Sequence, residues 1–299
     1  MRKRFSSGRP LWARLLLPLL LTAVLLLTGC AAETPAPLLP TPDPHAGQVL
    51  VPNGSGGEYW VTEYEALPVS ALDRNAFVQD GAYLNYLGTD AVALRGVDVS
   101  EHQGEIDWEA AAADGLDFAI VRAGYRGWTE GALFEDEYFR RNAEGALNAG
   151  LRLGAYFFSQ ATTPEEAREE ARMLLELTAD YDVTLPLCYD WENIGQADAR
   201  TEGMTGETVT DCALAFAQEL AAAGRACAVY FYRDLGYRFY ELDRLAGLPF
   251  WAGAAGSAPD FYYAHEIWQY SFTGRVSGIE GDCDLDLYFL PAQPETRED

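Results

Sequence analysis

The chain of 299 residues carries 46 Asp and Glu against 21 Lys and Arg, for a formal net charge of −25, with 49% hydrophobic residues. That balance excludes nucleic acid as a partner, since phosphate binding draws on cationic side chains, and excludes adhesion to anionic polymers by bulk charge. Three histidines (His45, His102 and His265) and five cysteines without a Cys-x-x-Cys spacing give no zinc-ligand pattern, so neither a metal nor a cofactor is expected.

In chain order, the first feature is Arg2, Lys3, Arg4, Arg9 and Arg14 ahead of an apolar run from Leu15 to Leu27. This is the layout of a secretion signal over 1–29, and the run is short for a membrane span. Leu27-Thr28-Gly29-Cys30 resembles a bacterial lipobox, which implies cleavage before Cys30, lipid on its sulfur and a place on the outer face of a bacterial membrane. Loss of the five basic residues leaves 16 Lys and Arg against 46 acids, a net charge of −30. Pro35, Pro37, Pro40, Pro42 and Pro44 make 30–47 an extended tether. Residues 48–94 mix scattered aromatics with Asn53-Gly54-Ser55-Gly56-Gly57 and read as an ordered lead-in or a partial strand pair.

From Arg95 to Pro291, strand-like apolar runs alternate with helical ones. The strands expected are 95–100, 117–123, 152–159, 185–192, 226–232, 249–253, 266–271 and 283–289. Thr163-Pro164-Glu165-Glu166 supplies a helix start, and Gly150 and Gly224 suit left-handed helix ends. Val209, Cys212, Phe216 and Leu220 fall on one face of a helix from about Thr208 to Ala223. Eight strands alternating with helices predict an irregular (β/α) barrel with about five regular βα units. The Gly-rich gaps between the last three strands are too short for helical crossovers, so those strands are expected to be joined by loops and to run antiparallel. A short tail, 292–299, comes last. Of the cysteines other than Cys30, Cys212 and Cys227 read as buried thiols, whereas Cys188 and Cys283 lie near strand ends where a bridge is possible outside the cytoplasm.

Catalytic groups of such barrels come from the C-terminal strand ends. Asp98 lies in the first strand, Asp190 and Glu192 in the fourth, and Asp284 and Asp286 in the last. In Tyr189-Asp190-Trp191-Glu192 the two acids are two residues apart, so in a strand they face the same way. Carboxyls crowded in a partly desolvated site cannot both ionise easily, which leaves a proton donor near neutral pH, as glycosidase chemistry requires. The ordinary alternative is an acidic strand end in an acid-rich protein.

Gly96-Val97-Asp98-Val99-Ser100-Glu101-His102-Gln103-Gly104 with Ile106-Asp107-Trp108, then Gly154-Ala155-Tyr156-Phe157-Phe158, Tyr189-Asp190-Trp191-Glu192, Phe250-Trp251-Ala252, Trp268-Gln269-Tyr270-Ser271 and 278–286 resemble, in order, the motifs of the glycoside hydrolase family 25 lysozymes. The resemblance implies an irregular βα barrel that cleaves the β-1,4 bond between N-acetylmuramic acid and N-acetylglucosamine in peptidoglycan. It also implies Glu192 as general acid and Asp190 as the carboxylate beside it, with Asp98 and Asp284 supporting the site. Tyr156, Tyr230, Trp251 and Gln269 fall at motif positions suited to lining a sugar cleft, and Trp128, between Gly127 and Gly131, is a secondary candidate. There are two departures: Phe157 stands where many members have His, and Asp286 where many have Asn. Asp286 is expected to raise the pKa of Asp284 if both face inward. Three rival readings are a non-catalytic wall-binding protein that keeps the fold, a glycosidase for another N-acetylated polymer, and a metal-dependent amidase or deacetylase, which the scarcity of His disfavours.

Overall fold

The computed structural model describes residues 43–292. The signal, Cys30 and most of the Pro-rich tether lie outside the described residues, as does the tail from 293. The described chain opens with an antiparallel hairpin, β1 (Gln48–Pro52) and β2 (Glu58–Thr62). Its turn is held by Asn53 Oδ1, which accepts the backbone N–H groups of Ser55 and Gly57 at 2.9 Å each. A second hairpin comes next, β3 (Phe77–Asp80) and β4 (Tyr83–Tyr86), with Gly81 at φ +62° in its turn. The lead-in is therefore two hairpins in place of one strand pair. Both pack on the C-terminal part of the chain: Tyr263 Oη accepts the N–H of Tyr64 at 2.8 Å, and Phe77 meets Trp268 and Phe289 edge-on.

The chain then runs β5 (Ala91–Val99), α1 (Trp108–Ala113), β6 (Phe118–Arg126), β7 (Leu133–Glu135), α2 (Phe139–Asn148), β8 (Arg152–Ser159), α3 (Pro164–Thr178), β9 (Val183–Trp191), α4 (Gly206–Ala222), β10 (Cys227–Tyr232), α5 (Arg233–Arg238), β11 (Phe250–Gly253), β12 (Ile267–Gly274) and β13 (Cys283–Pro291). Eight strands, β5, β6 and β8 through β13, close into a barrel, with β7 pairing outside it along β6. Five strands, β5, β6, β8, β9 and β10, are each followed by a helix before the next barrel strand, as the alternation predicts.

The closing section differs from expectation in one respect. Both late connections are loops, but β12 runs parallel to β11, and only β13 is antiparallel to its neighbours β12 and β5. Chain reach accounts for this. Residues 254–266 can span roughly 40 Å when extended, enough to return past the four-residue β11 to the barrel floor without a helix. The shorter link 275–282 is turned by Gly278 and Gly281 at φ +86° and +88°, and the strand after it reverses direction.

Two apolar layers result from strand alternation. Val97, Val121, Leu187, Val229 and Leu285 face the helices and lead-in, whereas Phe118, Ile120, Cys188, Ala228 and Ile267 fill the barrel. Tyr189 packs on Phe216 of α4, and Trp191 stacks flat on Phe239 at 5.3 Å between ring centroids. Burying side chains of this size stabilises by about 1.5–3 kcal/mol each. Gly96 is required: a Cβ there would lie 2.3 Å from the Phe118 ring. Thr163 accepts the N–H of Glu166 with Pro164 opening α3, and Gly150 and Gly224 take φ of +82° and +73° after α2 and α4. Cys188, Cys212, Cys227 and Cys283 are all free and buried. A Cys188–Cys283 bridge is ruled out by alternation, since Cys188 points into the barrel and Cys283 into the outer layer.

Candidate active site

The parallel strands open at their C-terminal ends onto a cavity of about 530 Å³. Asp98 reaches it from β5, Asp190 from the end of β9, Glu192 from one residue beyond that strand, and Asp284 from β13, where it pairs in register with Asp98. Tyr156, Tyr230, Trp251 and Gln269 line the same cavity. The sequence-derived residues are thus brought together, apart from Cys30 outside the described residues and Trp128. The Trp128 ring lies exposed in the β6–β7 loop and does not line the cavity. Phe157 is buried in the outer layer, behind the sheet from the cavity, so the departure there leaves the lining untouched.

The residues after Asp98 form a tight turn. Ser100 accepts the N–H of His102 while Gln103 reaches back to accept the N–H of Ser100 at 2.9 Å, and Gly104 follows at φ +63°. This reciprocal capping fixes Glu101, which pairs with Arg122 at 3.0 Å. Arg122 Nε also bonds Asp136 at 2.7 Å, so a cation is anchored in the cavity wall. Glu192 is steadied through its main chain. Its carbonyl accepts from Gln160 Nε2 at 3.1 Å, and Gln160 Oε1 accepts from Thr201 at 2.8 Å. Arg200 bonds the Gln160 carbonyl at 2.7 Å and pairs with Glu166 at 2.6 Å.

Electrostatics favour protons in this cavity. Burial, then Asp284, raises Asp98 to about 8, while hydrogen bonds from Asp286 and Gln269 oppose the rise. Burial followed by Glu192 pushes Asp190 well above the usual carboxylate range, opposed by Arg122, and Asp190 Oδ1 has no donor among the described residues. Burial and then Asp284 raise Glu192, and burial brings Asp284 to about 6. Gln269 donates to Asp98 Oδ2 at 2.7 Å and accepts from Tyr230 Oη at 2.8 Å; Trp251 Nε1 donates to Asp286 at 2.8 Å. The N–H donors of Gln269 and Trp251 are therefore given to carboxyls, and the Gln269 amide oxygen to the Tyr230 hydroxyl. Asp286 interacts first with Asp98, its hydrogen-bonding neighbour deeper on the inner face, and more weakly with Asp284; the repulsion between Asp284 and Asp286 falls on Asp286, while the rise of Asp284 comes from burial.

Three lining residues lie outside every motif that the sequence offers. Arg122 is one of two arginines in the otherwise apolar β6, an oddity that could have flagged it. Tyr232 and Phe272 stand at the mouth with ring centroids 6.1 Å apart and are 39% and 37% exposed. Neither carries a motif.

Carboxyls gathered at the strand ends of a βα barrel, with their protons held into the neutral range, are the arrangement of a barrel glycoside hydrolase. Residues 97–279 match the sequence profile of Glycosyl hydrolases family 25, and the chain belongs to that family. It is similar to the autolytic lysozyme of Clostridium acetobutylicum, 27% identical over 196 residues that make up 65% of this chain and 56% of that protein. Similarity to lysozyme M1 of Streptomyces globisporus is 28% over 219 residues, 67% of this chain and 69% of the relative. Among solved structures, a family 25 glycosyl hydrolase from Bacillus anthracis superimposes with a TM-score of 0.55 at 25% identity, covering 65% of this chain and 88% of the other. The modular autolysin LytC of Streptococcus pneumoniae shares the fold, with a TM-score of 0.59 and 82% of this chain covered. The chain spans little more than half the length of these two relatives, 57% of LytC and 56% of the clostridial lysozyme.

Proposed function

We propose that the protein is a peptidoglycan hydrolase that cuts the β-1,4 bond between N-acetylmuramic acid and N-acetylglucosamine, acting from the outer face of a bacterial membrane through lipid on Cys30. The observation that carries this reading is the convergence of Asp98, Asp190, Glu192 and Asp284 on one cavity, in a chain of a family whose relatives include lysozymes. Glu192, kept protonated by burial and by Asp284, donates to the glycosidic oxygen. Asp190 stabilises the charge developing at the sugar and orients the substrate's acetamido group, whose carbonyl oxygen attacks the anomeric carbon. In the free cavity Asp190 and Glu192 are both raised, chiefly by burial. A sugar amide N–H donated to Asp190 favours its ionised form and leaves the proton on Glu192, as the reaction needs. Tyr156, Tyr230, Trp251 and Gln269 line the sugar path, the latter two also holding carboxyls in place.

Mass spectrometry of fragments released from defined peptidoglycan tests the bond specificity: a reducing-end muramic acid is expected, and a reducing-end glucosamine would overturn the assignment. For Glu192→Gln, turnover falls by about 10²–10⁴ with wall binding retained. Near wild-type turnover in that variant removes Glu192 as the donor. NMR of the first-formed anomer tests the acetamido route, which retains configuration; an inverted product points instead to water activated by Asp190 or Asp284.

A further inference from the structure

Asp286 is 0% exposed and occupies a place that a neutral amide could fill without the cost of a buried charge. It follows Asp284 by two residues on the inner face of β13, paired in register with Gly96, so it lies diagonally below Asp98. Its Oδ1 accepts the Trp251 indole N–H at 2.8 Å, and its Oδ2 meets no other donor among the described residues. The side chain within hydrogen-bonding reach is Asp98, whose Oδ2 is already taken by Gln269 Nε2. Two carboxyl groups can hydrogen-bond only if one carries a proton. The groups around Asp286 are Asp98 on β5, Cys283 and Asp284 on β13, Trp251 on β11, Cys188 on β9, and Gln269 and Tyr270 on β12. None of these is a cation, and a buried carboxylate without one takes up a proton in preference to remaining charged.

We propose that Asp98 and Asp286 form a proton-sharing pair in which Asp286 is the standing donor, a positioning residue that fixes the carboxyl of Asp98 toward the cleft. Gln269, itself held by Tyr230, grips Asp98 from one side and Asp286 from the other. Asp98 cannot then rotate when charge develops on the bound sugar. Asp286 thus behaves as an amide would, while still able to lose its proton at alkaline pH. The kinetic part of this proposal rests on the muramidase reading; its protonation part does not.

The protonation part is tested by urea unfolding of the wild type and Asp286→Asn between pH 4 and 8. A carboxyl whose folded pKa is raised gives stability that is complete below its unfolded pKa, near 4, and is lost as pH rises toward the folded value. The folded-to-unfolded ratio of the wild type should therefore fall relative to D286N by about tenfold per pH unit across that window. A difference that does not change with pH overturns the proposal. The kinetic part compares Asp286→Leu with D286N. The asparagine can accept from Trp251 and donate to Asp98, so kcat falls at least about tenfold in D286L and is largely rescued in D286N. Equal loss in both, with both folded, would mean that the site uses the negative charge of Asp286, and the pair would fall. If the wild type releases no muropeptides, the muramidase reading fails while the urea titration still decides the pair.

Discussion

At the scale of single residues, the site is governed by where protons stay. Glu192 is raised by burial and by Asp284, so the donor is present below its folded pKa and is lost above it. Turnover is expected to decline on the alkaline side as Glu192 ionises. The variant Asp284→Asn, which removes the second cause of the rise, should move that limb toward acid, as pH–rate profiles on purified walls would show. An unmoved limb would separate Asp284 from the titration of Glu192. The acids themselves were legible in the sequence, because the two-residue spacing of Asp190 and Glu192 has a fixed meaning in a strand. Their neighbours were less so. Arg122 matters through Glu101 and Asp136, contacts made across a turn and from the β7–α2 link, and no local spacing announces them. Tyr232 and Phe272 come from β10 and β12, and meet only when both strands pair on the two sides of β11.

At the scale of elements, the placement of Glu192 depends on segments that do not touch the cavity. It sits on the first residue after β9, and the loop to α4 is tied back by Thr201 and Arg200 to Gln160 and to the first turn of α3. Thr201→Val leaves the buried Gln160 Oε1 without its donor, a loss of about 1–3 kcal/mol. It should also lower kcat more than it raises KM, since the carbonyl of Glu192 loses its rigid support. Chemical denaturation together with steady-state kinetics checks both; unchanged kcat would mean that the loop positions Glu192 by other means. The regular elements were readable from strand runs, the Thr163 cap and the glycine helix ends, because each is a local signal. The direction of β12 was not, since a 13-residue loop without periodicity carries no record of which end of the barrel it reaches.

For the molecule as a whole, the two leading hairpins belong to the same packed body as the barrel. Phe77 and Tyr86 cover Phe289, and Tyr64 and Val69 join the β11–β12 loop through Tyr263. A chain starting at Ala91 would bare this aromatic face. Its thermal midpoint should fall by about 5 °C or more relative to the chain from Gln48, given that about 1 kcal/mol shifts the midpoint of a domain of this size by 2–4 °C. Equal midpoints would show that the hairpins are passengers. The sequence left these residues ambiguous because short mixed strands stabilise one another only against a partner surface, and that surface is assembled from distant aromatics.

The antiparallel course of β13 bears on how the protein can be handled. Asp284 lies beside Asp98 at the mouth, and Pro291 lies beside Ala91, seven residues and roughly 23 Å further down the wall. The described chain therefore leaves the barrel at the pole remote from the carboxyls. A surface linkage made at Ala292, the last described residue, would present the cleft outward, so the immobilised protein should still reach a polymer too large to diffuse into a gel.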